Sequence, residues 1–289
     1  QLSSDAFAGR DPGTEGFNLA ANYVESFLSK NRILPFFNNN YKDSVVVNGK
    51  ASYNIVGLIG ERNPNNKHIL IGAHLDHLGI STEEERNEAE KSDSILTTSQ
   101  IASDSIYNGA NDNASGVTAV LQIAQQLRKY NFEQNIIIAL FTGEEIDFIG
   151  SRHLAEKLKS DSVNLSYMLN FEMIGKTLST GENQVFLTGS SKSNCAEEMN
   201  KIVDRTFVSF SQAYLDSGLF YYSDNYPFFE EFQVPCHTIV SFDFDNYDHY
   251  HKVSDEIIQL DVENMNSIIH SSTFIISQLL ENKIELINH

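Results

Sequence analysis

Two apolar runs in this chain end in residues that bind cations or move protons. Residues 67–73, KHILIGA, lead into His74, Leu75, Asp76 and His77, and residues 135–143, NIIIALFTG, lead into Glu144 and Glu145. Between them lies 108–116, NGANDNASG, with Asp112 on a tight turn. Further on, Glu172 interrupts the apolar stretch 167–175, and His251 stands in 248–255, DHYHKVSD. Imidazoles and carboxylates held at the end of a buried strand have little freedom, and they are the raw material of a metal site.

Each motif alone has an ordinary reading beside the functional one. In a strand, residues i and i+2 project to the same side. Asp76 can therefore orient the ring of His74 while that ring ligates a metal, or the pair can be a strand end without function. Asp112 suits a helix cap as well as a carboxylate bridging two cations. Glu144 and Glu145 would repel one another if buried without cations. Adjacent residues also project differently, so one can bind metal while its neighbour takes a proton from a metal-activated water. A solvated acidic turn is the alternative. Glu172 in so apolar a run is costly unless paired or liganded.

Taken together, His74, Asp112, Glu145, Glu172 and His251 offer two imidazoles and three carboxylates. Three carboxylate charges are balanced poorly by one divalent ion and well by two, which points to a two-metal site with a bridging carboxylate. Nitrogen and oxygen ligands without thiolate suit zinc, and Mn²⁺ and Co²⁺ accept the same donors.

These groups need elements to position them. Phe17, Ala20, Ala21, Val24, Phe27 and Leu28 recur at helical spacing after Thr14, a suitable cap. Strands are expected over 41–47 and 52–59, joined through the hairpin signal Asn48-Gly49, then over 67–73, 135–141, 167–171 and 236–242. Helices are expected over 114–130, 149–158, 193–207 and 261–280. This alternation predicts an α/β fold: a single-domain, three-layer α/β/α sandwich around a mixed, largely parallel sheet, spanning 1–289. Residues 81–103, rich in Glu, Ser and Thr, read as an acidic surface excursion, and 209–226 as a loop facing the substrate.

A formal net charge of −19 argues against binding nucleic acid through phosphates. The hydrophobic fraction of 41% supports a sizeable core. No apolar run is long enough to predict a transmembrane helix. Cys195 and Cys236 are too few for a disulfide framework, and one bridge or two buried thiols remain open. A chain starting at Gln1 reads as processed or truncated, with its targeting signal unreadable. Oligomeric state is not legible.

The motifs resemble, in order and content, the zinc-dependent aminopeptidases of the M28 peptidase family. The resemblance runs from the opening LSSDAFAGR (2–10) and PGT (12–14) through AHLDHLG (73–79), YNGANDNASG (107–116), TGEE (142–145), NFEMIG (170–175) and SDNYPF (223–228) to YHKVSD (250–255). It implies two zinc ions, with His74 and Glu172 holding separate ones, Asp112 bridging them, and Glu145 and His251 completing the set. Whether His74 shares its ion with Glu145 or with His251 stays open. It implies Glu144 as general base, Asp76 as the partner of the His74 ring, and Tyr221 as an aid to the oxyanion. Peptides with a free N-terminus are the implied substrates, and a secreted or periplasmic location follows by analogy. Two departures stand out: Glu172 where the family commonly has Asp, and Asn225 where it has His. The alternatives are a glutaminyl cyclase-like transferase on a similar scaffold and an inactive interaction module.

Overall fold

The computed structural model of the chain describes residues 1–61, 66–82 and 104–289. In chain order the elements are α1 (Glu15–Lys30), β1 (Leu34–Pro35), β2 (Lys42–Val47), β3 (Lys50–Ile59), β4 (Lys67–His74), α2 (Gly116–Leu127), β5 (Asn135–Phe141), α3 (Ile149–Ser160), β6 (Asn164–Phe171), β7 (Phe186–Leu187), α4 (Cys195–Val203), α5 (Gln212–Asp216), α6 (Asn225–Phe232), β8 (Cys236–Val240) and α7 (Val262–Glu281). The strands form one mixed sheet in the order β1-β3-β5-β4-β6-β8-β7, with β2 also on β3. Its centre, β5-β4-β6-β8, is parallel, and the flanking pairings are antiparallel.

The apolar runs explain this centre. Strands covered on both faces read as continuous Ile, Leu and Val rather than as an alternation. Ile69, Ile71, Ile136, Ile138 and Leu140 pack on one side against α1, α2, α4 and α7. Leu70, Ile137, Ala139 and Phe141 pack on the other against α3 and α6. Each fully buried aliphatic side chain contributes about 1.5–3 kcal/mol relative to exposure, so the sheet centre is a rigid platform.

The chain steps from β4 through α2 to β5 on one side, then through α3 back across to β6 on the other. With right-handed crossovers this reversal places the two helices on opposite faces. It also opens a crevice at the carboxyl ends of β4, β5 and β6, where ligands of such sheets bind.

Local signals held where a side chain or turn decides them. The Thr14 hydroxyl accepts from the Phe17 N–H at the start of α1, a cap that contributes about 1 kcal/mol. Asn48 and Gly49 take the positive φ values, 48° and 76°, of a tight hairpin between β2 and β3. Differences appear at ends. Helix α4 stops at Val203 because Asp204 turns left-handed. The segment 209–226 is not one irregular loop: it contains α5 and a short 3-10 turn, Leu219–Tyr221. The helix α6 was not expected. Pro227 sits in its first turn, where the missing N–H costs nothing. Both cysteines are buried free thiols. Apart from Ser81 and Thr82, the acidic excursion lies outside the described residues. Among the described residues, no helix is long and apolar enough to cross a membrane.

Candidate metal centre

The five expected ligands come to the crevice from five places: His74 at the end of β4, Glu145 just past β5, Glu172 just past β6, and Asp112 and His251 on two separate connections. Asp112 stands at the middle. Its Oδ1 lies 3.1 Å from His74 Nε2, and its Oδ2 lies 3.2 Å from His251 Nε2. The same His251 nitrogen is 3.0 Å from Glu145 Oε2. His251 and Glu145 thus meet on the Oδ2 side of Asp112, and His74 faces Oδ1.

Glu172 lies close to His74. Strand β6 runs parallel beside β4 with Gly72 opposite Asn170, so two residues further on His74 and Glu172 leave the sheet side by side. Burial pushes the Glu172 carboxyl up to about 7, opposed most by the His74 imidazole. The extra methylene does not leave the carboxylate loose, since its Oε2 accepts from Ser223 Oγ at 2.5 Å.

The turn carrying Asp112 is stitched on both sides. Asp255 accepts from the N–H groups of Asn111 and Asp112 at 2.8 and 3.0 Å, and Tyr247 donates its hydroxyl to the same carboxylate. Asn113 donates to the Phe171 oxygen at 2.9 Å and accepts from Met173 N–H, while Asn111 accepts from Gly175 N–H. The NDNAS segment is thereby locked to the end of β6. Cap chemistry passes to Asn113, whose Oδ1 accepts from Gly116 N–H, leaving the Asp112 carboxylate for the centre. Gly109 has φ +54°, and a Cβ there would lie 2.2 Å from the Asp112 oxygen and 2.5 Å from the His77 ring. Only glycine fits.

Burial favours the neutral form of each acid, and the imidazoles work against it. His251 and His74, joined by His77, hold Asp112 well below the usual range despite its burial. Burial and Asp112 push Glu145 up, but His251 and His77 outweigh them and lower it. Burial opposes the His251 imidazolium, yet Asp112 and Glu145 raise it to about 10. Glu144 is different. Burial raises it well above the ordinary value, His74 opposes, and Glu172, Asp224 and Glu145 add to the rise. Glu144 is thus inclined to hold a proton, while Asp112 and Glu145 are inclined to lose theirs.

Asp76 and Tyr221 sit differently from expectation. His74 Nδ1 faces the Asp76 backbone oxygen at 3.2 Å, while the Asp76 carboxylate accepts from the Glu144 N–H at 3.3 Å. That bond ties Asp76 to the backbone three residues past β5. Tyr221 is 46% exposed, packs on Phe220 and Tyr226, and meets Lys192 Nζ through its hydroxyl. Tyr250 instead stacks on His251 with ring centroids 3.9 Å apart. Burial raises its phenol, and Asp112, Glu172, Glu145 and Glu144 raise it further. His249 turns away to Ser254. Asn225, where the family has His, is buried and accepts from Thr238 Oγ1 while donating to the Phe220 oxygen.

Several residues of the site had no assigned role in the sequence: Ser223, Asp255, His77 and Arg10. The buried Arg10 guanidinium donates to the oxygens of Leu2, Leu75, Asn108 and Gly109, tying the N-terminal segment to β4 and the Asp112 loop.

The donor set fits divalent cations. His74 Nε2 is buried and makes no hydrogen bond among the described residues, although Asp112 Oδ1 is 3.1 Å away. That separation without hydrogen-bond alignment suits two ligands of one ion. Ligand atoms of His74, Glu144 and Glu145, and those of His77, Asp112 and Glu145, also lie within 4.8 Å of one another.

A mixed sheet with its switch point at β4, and nitrogen and oxygen donors gathered at its carboxyl edge, define a hydrolase-type α/β scaffold. The chain belongs to peptidase family M28, whose profile matches residues 54–273. It is 40% identical over 74 residues to a probable zinc metalloprotease of Pyrenophora tritici-repentis, covering 26% of this chain and 15% of that protein. It is 27% identical over 162 residues to the aminopeptidase YwaD of Bacillus subtilis, covering 50% of this chain and 35% of that one. These matches thus take in well under half of the relatives' own length. Among solved structures, the LapA aminopeptidase of Legionella pneumophila superposes with a TM-score of 0.74 at 18% identity, over 96% of this chain and 69% of that chain. A glutaminyl cyclase of Porphyromonas gingivalis superposes at 0.69 with 16% identity, over 94% and 93%. At such identities the likeness is one of fold.

Proposed function

We propose that this chain is a zinc aminopeptidase that hydrolyses the N-terminal peptide bond of peptides through a pair of ions bridged by Asp112. The observation that carries the reading is the division of Asp112: Oδ1 toward His74, Oδ2 toward His251 and Glu145. His74, Asp112 and Glu172 would hold one zinc ion; Asp112, Glu145 and His251 would hold the other. Bound there, zinc supplies Lewis acidity toward the scissile carbonyl and lowers the pKa of water.

The rest is the work of the chain. Glu144 is braced by Asp76 and raised by burial, so it accepts the proton of the attacking water and returns it to the leaving amine. Tyr250, fixed on the His251 ring, lines the same opening and is placed to contact a bound peptide. The two half-sites and the Glu144 base favour hydrolysis over cyclisation, a chemistry that the similarity to a cyclase fold leaves as the alternative.

The deciding experiment measures zinc content together with turnover on aminoacyl and glutaminyl substrates, for the chain and for Glu144→Gln. We expect two ions per chain, aminopeptidase turnover, and a Glu144→Gln variant that keeps its zinc and loses about 10²–10⁴-fold in kcat. Near-normal activity in that variant would remove Glu144 as the base. One tightly held ion with cyclase turnover would replace the reading altogether.

A further inference from the structure

His77 lies three residues past His74 and is absent from the ligand set above, yet it is among the most buried polar groups of the site. Its Nδ1 is 2.6 Å from Glu145 Oε1, while Glu145 Oε2 is 3.0 Å from His251 Nε2. The two oxygens of one carboxylate thus have different partners. Resting on the metal-centre reading, we propose that His77 is a positioning residue. It donates from Nδ1 to Glu145 Oε1 and so commits Oε2 to the ion shared with His251 and Asp112.

Distance separates a positioning residue from a further ligand. Two donors about 2.0–2.2 Å from one tetrahedral ion lie roughly 3.2–3.6 Å apart. The pairs His74–Asp112, His251–Asp112 and His251–Glu145, at 3.1, 3.2 and 3.0 Å, approach that spacing. The His77–Glu145 contact, at 2.6 Å, is far too close for it and matches a short charge-assisted hydrogen bond. Nε2 of His77 is buried with no hydrogen-bond partner among the described residues. A proton there would be an unpaired buried N–H, so the ring proton belongs on Nδ1, where Glu145 accepts it.

The residue is also held from several sides. The His77 backbone N–H donates to the Arg10 backbone oxygen at 3.3 Å, and Tyr107 and His251 meet the ring edge-on at 6.4 and 5.9 Å. Gly109 packs so close that a Cβ there would strike the ring. A side chain fixed this firmly can fix the orientation of Glu145, which sits on a loop past β5 and has no strand to hold it.

The test uses His77→Ala and His77→Asn, the second keeping an amide N–H near the Nδ1 position. The readouts are zinc affinity at each ion by chelator competition, and the visible spectrum of the cobalt-substituted chain. Thermal unfolding after chelation serves as the fold control. We expect His77→Ala to weaken one ion about 10–100-fold and the other by less than about threefold. The weakened ion should be the one lost in His251→Ala, so the double variant shows no further loss of that ion. His77→Asn should restore most of the affinity with an unchanged cobalt spectrum. Three results overturn the proposal: unchanged affinity in His77→Ala, equal weakening of both ions, or a His77→Asn variant that fails like alanine with an altered spectrum, which would make His77 a ligand. An unsubstituted chain that binds no zinc refutes the metal-centre reading itself; two ions bound normally without His77 refute only this inference.

Discussion

The two oxygens of Asp112 face unlike surroundings. On the Oδ1 side, His74 and Glu172 come from the ends of neighbouring parallel strands, and the His74 side chain is 1% exposed. On the Oδ2 side, Glu145 and His251 come from loops, and the His251 side chain is 36% exposed at a backbone φ of 56°. One half is built by the sheet; the other is assembled by loops, with His77 supporting Glu145, while Asp255 and Arg10 brace the Asp112 turn that the halves share. On the proposed reading a catalytic pair would gain from this asymmetry: the more buried half would anchor an ion, and the more exposed half would leave room for water and substrate.

The strongest way to break this comparison is to remove what the halves share. Asp112→Asn keeps the shape and the backbone bonds to Asp255 but removes the bridging charge. We expect both ions to weaken by more than about 100-fold, with loss of activity to match. Isothermal titration with zinc would show it. If one ion still binds normally, Asp112 does not bridge and the halves are independent. In the intact chain, a chelator should withdraw one ion quickly and the second slowly, with His251→Ala abolishing the fast phase alone.

Proton linkage tests the halves next. In the metal-free chain the carboxyls of Asp76, Glu172 and Asp224 are raised by burial to about 6, 7 and 8, and Asp112 and Glu145 raise His251 to about 10 against its burial. A folded pKa above the unfolded value contributes stability that is present at low pH and lost as pH climbs through the folded value. Asp112 and Glu145 shift the other way, but their contribution is complete by about pH 5. The chelated chain should therefore lose several degrees of Tm between pH 5 and 8, and zinc should cancel most of the loss. Zinc uptake near pH 7 should release protons from both imidazoles, His74 and His251, whose acidic neighbours raise them against burial. Scanning calorimetry across that window, with and without zinc, decides it; a chelated chain whose Tm stays flat or rises contradicts the assigned directions.

Legibility followed the range of the contacts. Strands β4 and β5 were readable almost to the residue because continuous burial demands continuous apolar sequence. His74, Glu144 and Glu145 stood out as candidates because they sit where those runs end. The pairing of Glu172 with His74 was not readable, since it depends on β6 lying beside β4, a neighbour relation that no local pattern records. Arg10 reaches Gly109 across 99 residues, and His77 reaches Glu145 across 68. Such supports look like ordinary polar residues until the fold brings their partners close. The α6 helix escaped because its aromatic residues, Tyr226, Phe228, Phe229 and Phe232, are spread around it and blur the helical period.

The smallest expected effect tests whether the sheet-built half also depends on support from outside the sheet. Ser223 stands two residues before α6, donates to Glu172 Oε2 at 2.5 Å and accepts from Asn170 Nδ2 at 3.0 Å. Glu172 is one methylene longer than the family's usual Asp, so this hydroxyl is what stops the extra reach from becoming freedom. Ser223→Ala removes one hydrogen bond to a charged group, a loss of about 1.5–3 kcal/mol if nothing replaces it. Water can reoccupy part of that space, so we expect the Oδ1-side ion to weaken only about tenfold, with the Oδ2-side ion unchanged. Ser223→Thr, which keeps the hydroxyl, should restore the affinity if its methyl is accommodated. If alanine weakens the loop-built half instead, the assignment of Glu172 to the His74 side is wrong. If it weakens neither, the strand ends alone hold the sheet-built half, and the contrast between sheet-built and loop-built ligands is sharper than drawn here.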